Sequence, residues 1–113
     1  MRGARVVLAA ILFGASGAAL AHAHLTASEP AGGARVSAPA QLSLTFSEPA
    51  RLTQLSIERT GQPALPLALP EETARTLHIV LPALAPGDYL VRFRVLGADG
   101  HLVPGRLAFT VVP

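Results

Sequence analysis

The strongest constraint on the fold is an alternation of apolar and polar residues that recurs after residue 24. It covers residues 41–47, 75–81, 88–96 and 106–112. A period of two is typical of β-strands with one buried face, and the 10 prolines interrupt any longer helical pattern. A weaker strand is predicted at 52–59, with short edge segments at 25–28 and 35–36. The sequence therefore predicts an all-β domain.

Turn signals separate these stretches at the spacing expected of a β-sandwich. They are Pro30-Ala31-Gly32-Gly33, Ser37-Ala38-Pro39, Gly61-Gln62-Pro63, Asp99-Gly100 and the segment 82–87. Six or seven short strands at this spacing favour two antiparallel sheets packed face to face. Tyr89, just after the turn at Gly87, resembles the tyrosine corner of immunoglobulin-like folds. Residues 63–70 contain three prolines and are predicted to be an extended edge or a loop.

Residues 1–21 have the pattern of a cleaved secretory signal, which leaves 22–113 as the predicted domain. Arg2 and Arg5 precede an apolar stretch that ends in small residues. This stretch is shorter than the roughly 20 residues that span a bilayer, which favours a signal over an anchor. Two A-x-A sites compete, and cleavage leaves either His22 or His24 as the first residue. In both cases a free amine lies beside an imidazole, and this pair chelates metal ions.

Charge and composition exclude several functions for the domain at 22–113. Without Arg2 and Arg5, seven arginines balance seven acidic residues, which argues against binding to nucleic acid. The chain has no cysteine, so no disulfide supports the fold. It has no G-x-S-x-G nucleophile motif and no glycine-rich phosphate loop, and the aromatic residues after the leader fit core positions. No catalytic residue is predicted, and the protein is not expected to be an enzyme.

The histidines carry the candidate chemistry. Asp99-Gly100-His101 places a carboxylate and an imidazole two residues apart, around a glycine that lets the backbone bend. Imidazole with an added carboxylate suits borderline cations such as Cu(II) and Zn(II). The alternative is an ordinary Asp-Gly hairpin turn, together with a solvated tail that contains His22 and His24. His78 is predicted to be a surface residue of a strand, without a role.

Six motifs in this order resemble the CopC family of periplasmic copper-resistance proteins. They are His22-Ala23-His24-Leu25, Ser28-Glu29-Pro30-Ala31-Gly32, Leu44-Thr45-Phe46-Ser47-Glu48-Pro49, Pro86-Gly87-Asp88-Tyr89, Ala98-Asp99-Gly100-His101 and the segment 105–111. The resemblance covers the chain after the leader, and its Phe-Ser-Glu-Pro and Asp-Gly-His elements are specific. It implies a seven-stranded, immunoglobulin-like Greek-key β-sandwich that binds Cu(II) and catalyses no reaction.

The resemblance also implies a metal site of the kind called a histidine brace. In the family, the first residue of the mature chain binds copper through its amine and its ring, and an Asp-x-His pair adds two ligands. These residues correspond to His22, Asp99 and His101. The family's spacing from the first histidine to a leucine and a proline, here Leu25 and Pro30, selects His22 as the first residue.

Two further residues near this site receive a role. Glu48 matches a glutamate that lies near the copper without binding it, where a carboxylate accepts hydrogen bonds from a ligand amine or a bound water. His24 is a possible additional ligand. His22-Ala23-His24 also forms a chelate that needs no fold, because a histidine in third position binds Cu(II) together with the amine and two amide nitrogens.

One departure from the family concerns the oxidation state of copper. Some members have a Met-rich loop that binds Cu(I), whereas residues 57–69 contain no methionine. The chain therefore resembles a Cu(II)-only member, and its implied partners are a CopD-type inner-membrane protein or other periplasmic copper carriers. Two alternatives stay open. One is a copper monooxygenase, because lytic polysaccharide enzymes also use a histidine brace, and the other is a structural sandwich without metal.

Overall fold

A computed structural model describes residues 22–113 and consists of seven β-strands in this range. The strands are β1 (Leu25–Glu29), β2 (Arg35–Val36), β3 (Gln41–Arg59), β4 (Leu65–Pro66), β5 (Ala74–Val80), β6 (Gly87–Gly97) and β7 (Leu102–Val111). Within 22–113 there is no helix of the length and apolarity that a membrane span requires. The all-β prediction is confirmed, and the signal predicted for residues 1–21 lies outside the described residues.

β3 is the longest strand, and it belongs to both layers of the sandwich. Its first part, up to Phe46, pairs with β1 on one side and β5 on the other, and these strands form the first sheet. Its second part, from Ala50, pairs with β6, and the second sheet continues through β7 to β2. The break in register at 46–49, here called the kink, lets the strand change sheets. The two strands predicted at 41–47 and 52–59 are therefore one continuous strand.

The core lies between the two sheets and is filled by the alternating apolar residues. Its largest fully buried side chains are Phe46, Leu42, Leu44, Leu52, Leu77, Ile79, Val91 and Val95. A second irregularity in β3, just after Leu52, shifts the inward face from Leu52 to Leu55 and Ile57. That shift explains why the alternation is weaker at 52–59 than elsewhere, since one extra residue exchanges the two faces of a strand.

The local sequence signals at Tyr89 and at 63–70 are confirmed. The Tyr89 hydroxyl donates a hydrogen bond of 2.6 Å to the carbonyl of Ala85, four residues upstream, as in a tyrosine corner. β4 adds a short edge to β3, and its proline occupies the kind of edge position where a missing N–H is tolerated.

β7 begins earlier than predicted, at Leu102 rather than at residue 106. The alternation at 106–112 missed the first part of this strand because Pro104 and Gly105 do not look like strand residues. β7 pairs with β2 only at Thr110 and Val111, so its edge beside Pro104 is not shared with β2. A proline without an N–H fits such an edge.

Candidate metal centre

The hairpin between β6 and β7 carries two of the predicted metal ligands. The N–H of Gly97 donates to the carbonyl of His101, and the N–H of Gly100 donates to the carbonyl of Gly97, both at 3.1 Å. Gly100 has a φ of +83°, the left-handed conformation that ends a three-residue hairpin turn and favours glycine. Asp99-Gly100 is thus a hairpin turn, and the same turn brings the side chains of Asp99 and His101 together.

Three donor atoms form a compact triangle at this turn. His101 Nδ1 lies 2.9 Å from Asp99 Oδ2 and 3.1 Å from His22 Nε2, and His22 Nε2 lies 3.6 Å from Asp99 Oδ2. Two ligands at right angles around an ion with bonds of about 2.0 Å lie about 2.8 Å apart. The triangle is therefore of the size that a single ion requires. Among residues 22–113, these three side chains form the group whose potential ligand atoms lie close enough together, all within 4.8 Å of one another, to hold one metal ion.

Hydrogen bonding keeps the carboxyl of Asp99 in its charged form. The backbone N–H of His101 donates to Asp99 Oδ1 at 3.0 Å, and this bond is the main reason why the pKa of Asp99 lies below its usual value. The side chain of His101 lowers this pKa further by its own hydrogen bond, while desolvation opposes the shift. A carboxyl that is already ionised binds a cation without first losing a proton.

The N-terminal arm, residues 22–24, reaches the hairpin because Ser47 in the kink of β3 holds it. The N–H of Ser47 donates to the carbonyl of His24 at 2.8 Å, and the N–H of His24 donates to Ser47 Oγ at 3.1 Å. Ser47 Oγ donates in turn to the carbonyl of His22 at 3.4 Å. Ala23 between the two histidines is completely buried. The arm is therefore part of the folded domain rather than a solvated tail.

Ser47 and Ala23 are site residues for which sequence reasoning assigned no role. Ser47 belongs to the Phe-Ser-Glu-Pro motif, but a serine in a strand gives no local sign that it binds a backbone segment 23 positions away. The small size of Ala23 gave no sign either, although its burial is what places His22. The only available sign was that both residues belong to motifs that occur in the order expected for the CopC family.

The remaining predicted residues lie around this cluster without joining it. Glu48 is half-buried in the kink, and among residues 22–113 it is outside the group of potential metal ligands. His24 is exposed, with Nδ1 at 3.4 Å from the carbonyl oxygen of His22. His78 is exposed on β5, as predicted.

Comparison with known proteins decides the family. The CopC domain matches residues 25–112. The chain belongs to the CopC family. A copper resistance protein C from Xanthomonas campestris pv. juglandis is 36% identical over 94% of this chain and 91% of its own length. Protein YobA from Escherichia coli (strain K12) is also 36% identical, over 80% of this chain and 79% of its own length.

Solved structures of CopC-family proteins have the same fold. The crystal structure of CopC from Methylosinus trichosporium OB3b matches with a TM-score of 0.69 and 31% identity, over 81% of this chain and 95% of that one. PcoC from Escherichia coli, described as a methionine rich copper resistance protein, matches with a TM-score of 0.62 and 29% identity, over 80% and 99%. The β-sandwich prediction is thereby confirmed. The present CopC-family chain has Met1 as its only methionine.

Proposed function

We propose that this CopC-family chain is a periplasmic protein that binds Cu(II) at His22, Asp99 and His101 and passes it to other copper proteins. The observation that carries the proposal is the triangle of three donor atoms, built from two distant parts of the chain. The nitrogens and the carboxylate oxygen of this set are the donors that a tetragonal Cu(II) site uses. The four-coordinate set is completed when the amine of His22 joins its ring.

The proposed first residue of the mature protein is His22, and residues 1–21 are the proposed signal. The burial of Ala23 supports this boundary, because a chain that starts at His24 would lose both a core residue and His22. The ring nitrogen of His22 that faces the cluster is Nε2. Its Nδ1 is the nitrogen within chelating reach of the amine of the same residue, so the brace requires the ring to turn about its Cβ–Cγ bond.

The proposed oxidation state is Cu(II), and the proposed role is carriage rather than catalysis. The cluster offers no thioether sulfur, which is the donor that Cu(I) prefers. The side chains of His22 and His101 are 55% and 65% exposed, so the ligands of an acceptor can approach the ion directly. A CopD-type membrane protein or another copper carrier is the proposed acceptor. All four aromatic residues of 22–113 are buried, which leaves no flat aromatic face for a polysaccharide and disfavours a monooxygenase.

Replacement of His101 tests this function. In protein that starts at His22, His101→Ala is expected to weaken Cu(II) binding by about a thousandfold, or about 4 kcal/mol, because the ion loses a fold-positioned nitrogen. The measurement is competition with a chelator of known affinity. His78→Ala is the matched control, since it removes an exposed histidine of β5 that lies outside the group of potential metal ligands described for residues 22–113. Equal affinities of the two variants would mean that the arm alone holds the ion, and the proposed function would fail.

The close fit under the cluster gives a second test, at Gly97. A Cβ on this residue would lie 3.1 Å from Asp99 Oδ1 and 3.4 Å from the Cβ of Ala23. Gly97→Ala is therefore expected to displace the turn or the arm and to weaken Cu(II) binding by about tenfold, or about 1.4 kcal/mol. Gly32→Ala is the control, because its new Cβ would make an ordinary contact of 3.5 Å with Leu107. The same chelator competition measures both, and identical affinities would show that the fit at Gly97 has no effect.

A further inference from the structure

Two different copper chelates compete for the N-terminal arm. The brace of the proposed function, on which this inference rests, uses the amine and ring of His22. The second chelate, here called the tail chelate, uses the same amine with the amide nitrogens of Ala23 and His24 and the ring of His24. Each of these amide nitrogens gives its proton to water before it binds Cu(II). Because both chelates need the same amine, one ion occupies one chelate at a time.

In the folded domain, neither amide nitrogen is free to bind metal. The N–H of His24 is donated to Ser47 Oγ at 3.1 Å. The backbone nitrogen of Ala23 is packed against Gly97, where an added Cβ would lie 3.5 Å from it, and Ala23 is completely buried. The tail chelate therefore requires the arm to leave its place in the fold.

Ser47 makes all the hydrogen bonds that hold the arm's backbone to the kink of β3. Besides accepting from the N–H of His24, it donates to the carbonyls of His24 and His22 on either side of Ala23. These bonds fix the peptide planes that would have to rotate if both amide nitrogens were to face one ion. Arg75 secures Ser47 in turn, through a bond of 2.5 Å from Nη1 to its carbonyl.

We infer that Ser47 is the residue that determines which of the two chelates Cu(II) occupies. Its hydroxyl keeps the arm in the fold, so that copper meets the amine and ring of His22 beside Asp99 and His101. Without that hydroxyl the arm keeps only the bond from the backbone N–H of Ser47 to the carbonyl of His24. The N–H of His24 and the carbonyl of His22 then lose their partner, and the equilibrium shifts toward the four-nitrogen tail chelate. The distinction matters for a carrier, because a tail chelate would hold copper on any unfolded chain, whereas the brace binds it only when the sandwich is intact.

The test is the coordination of Cu(II) in Ser47→Ala protein that starts at His22. Amide nitrogens that have lost their protons are strong-field ligands, so the tail chelate absorbs visible light at shorter wavelength than the brace and gives circular dichroism through the bound backbone. We expect the ratio of tail chelate to brace to rise by about tenfold in Ser47→Ala, since the two hydrogen bonds that the hydroxyl makes to the arm are lost while the backbone bond remains. Ni(II) is a second probe, since its four-nitrogen tail complex is square-planar and yellow.

Three control variants make the result specific. Ser47→Thr keeps the hydroxyl and is expected to retain the wild-type spectrum, and Ser43→Ala removes a serine from the same strand without touching the arm. Ser47→Ala/His24→Ala is expected to lose the short-wavelength band, because the tail chelate then lacks its imidazole. A wild-type spectrum in Ser47→Ala, or a tail spectrum in Ser47→Thr, would overturn the inference. If His101→Ala leaves the wild-type spectrum unchanged, it is the brace itself that fails.

Discussion

Acetylation of the α-amine of His22 is expected to weaken Cu(II) binding by about a thousandfold, or about 4 kcal/mol. An acetylated amine is a neutral amide and no longer a ligand, so the proposed site loses one nitrogen and its chelate ring. The chain offers a clean way to do this experiment. It contains no lysine, so a domain that starts at His22 has its α-amine as its only primary amine. The affinity is measured by chelator competition before and after the modification.

The control for acetylation is the stability of the copper-free protein. Since the amine does not take part in the hydrogen bonds that hold the arm to Ser47, the thermal midpoint without copper is expected to stay within about one degree, corresponding to well under 1 kcal/mol. If acetylated protein with an unchanged midpoint bound Cu(II) as tightly as before, the side chains of His22, Asp99 and His101 would suffice, and the brace would be wrong.

Phe46→Ala is expected to lower the free energy of unfolding of the copper-free protein by about 3–5 kcal/mol. Phe46 is 1% exposed and packs edge-to-face on Phe93, with ring centroids 5.8 Å apart. A domain of this kind has a total stability of about 5–15 kcal/mol, so the loss is a large fraction of the whole. The measurement is equilibrium unfolding in urea, with Phe46→Leu as the variant that keeps most of the buried volume.

Copper is expected to restore part of the stability of Phe46→Ala. An ion that binds only the folded state adds about 4 kcal/mol when its free concentration is a thousand times its dissociation constant. Phe46 directly precedes Ser47, yet it contributes no metal ligand. The fraction of Phe46→Ala that is folded is therefore expected to keep the site. If Phe46→Ala lowered the free energy of unfolding of the copper-free protein by less than about 1 kcal/mol, the assignment of Phe46 to the centre of the core would be wrong. An unfolding midpoint that copper leaves unchanged would contradict a fold-dependent site.

Most of the fold could be predicted from the sequence because each strand has one buried face. The alternation at 88–96, for example, corresponds closely to β6. The continuity of β3 could not be predicted, because the alternation stops at residue 47, is followed by Glu48 and Pro49, and resumes only weakly at residue 52. In the structure these two residues lie in the kink, where the chain changes sheets without reversing direction.

The candidate site could likewise be predicted only in part, because some of its contacts join neighbours in the sequence and others join residues far apart in the chain. Asp99 and His101 are neighbours in sequence, so their common direction follows from one hairpin turn. That His22 joins them was implied only by the family resemblance, since no local pattern relates the two ends of a chain. The contact of Ser47 with the arm could not be predicted, because it depends on where the kink falls, and the kink is set by the packing of the two sheets.

The passage of β3 between the sheets has a mechanical consequence for the proposed copper-bound form. The arm is fastened to the kink, whereas Asp99 and His101 lie on the hairpin of the second sheet. An ion bound by His22 and His101 therefore ties together positions 79 residues apart. In a chain without cysteine, a metal ion bound in this way closes the kind of long loop that a disulfide closes elsewhere. If the proposed function is right, copper is both the load and a removable cross-link, and each transfer to an acceptor also removes that cross-link.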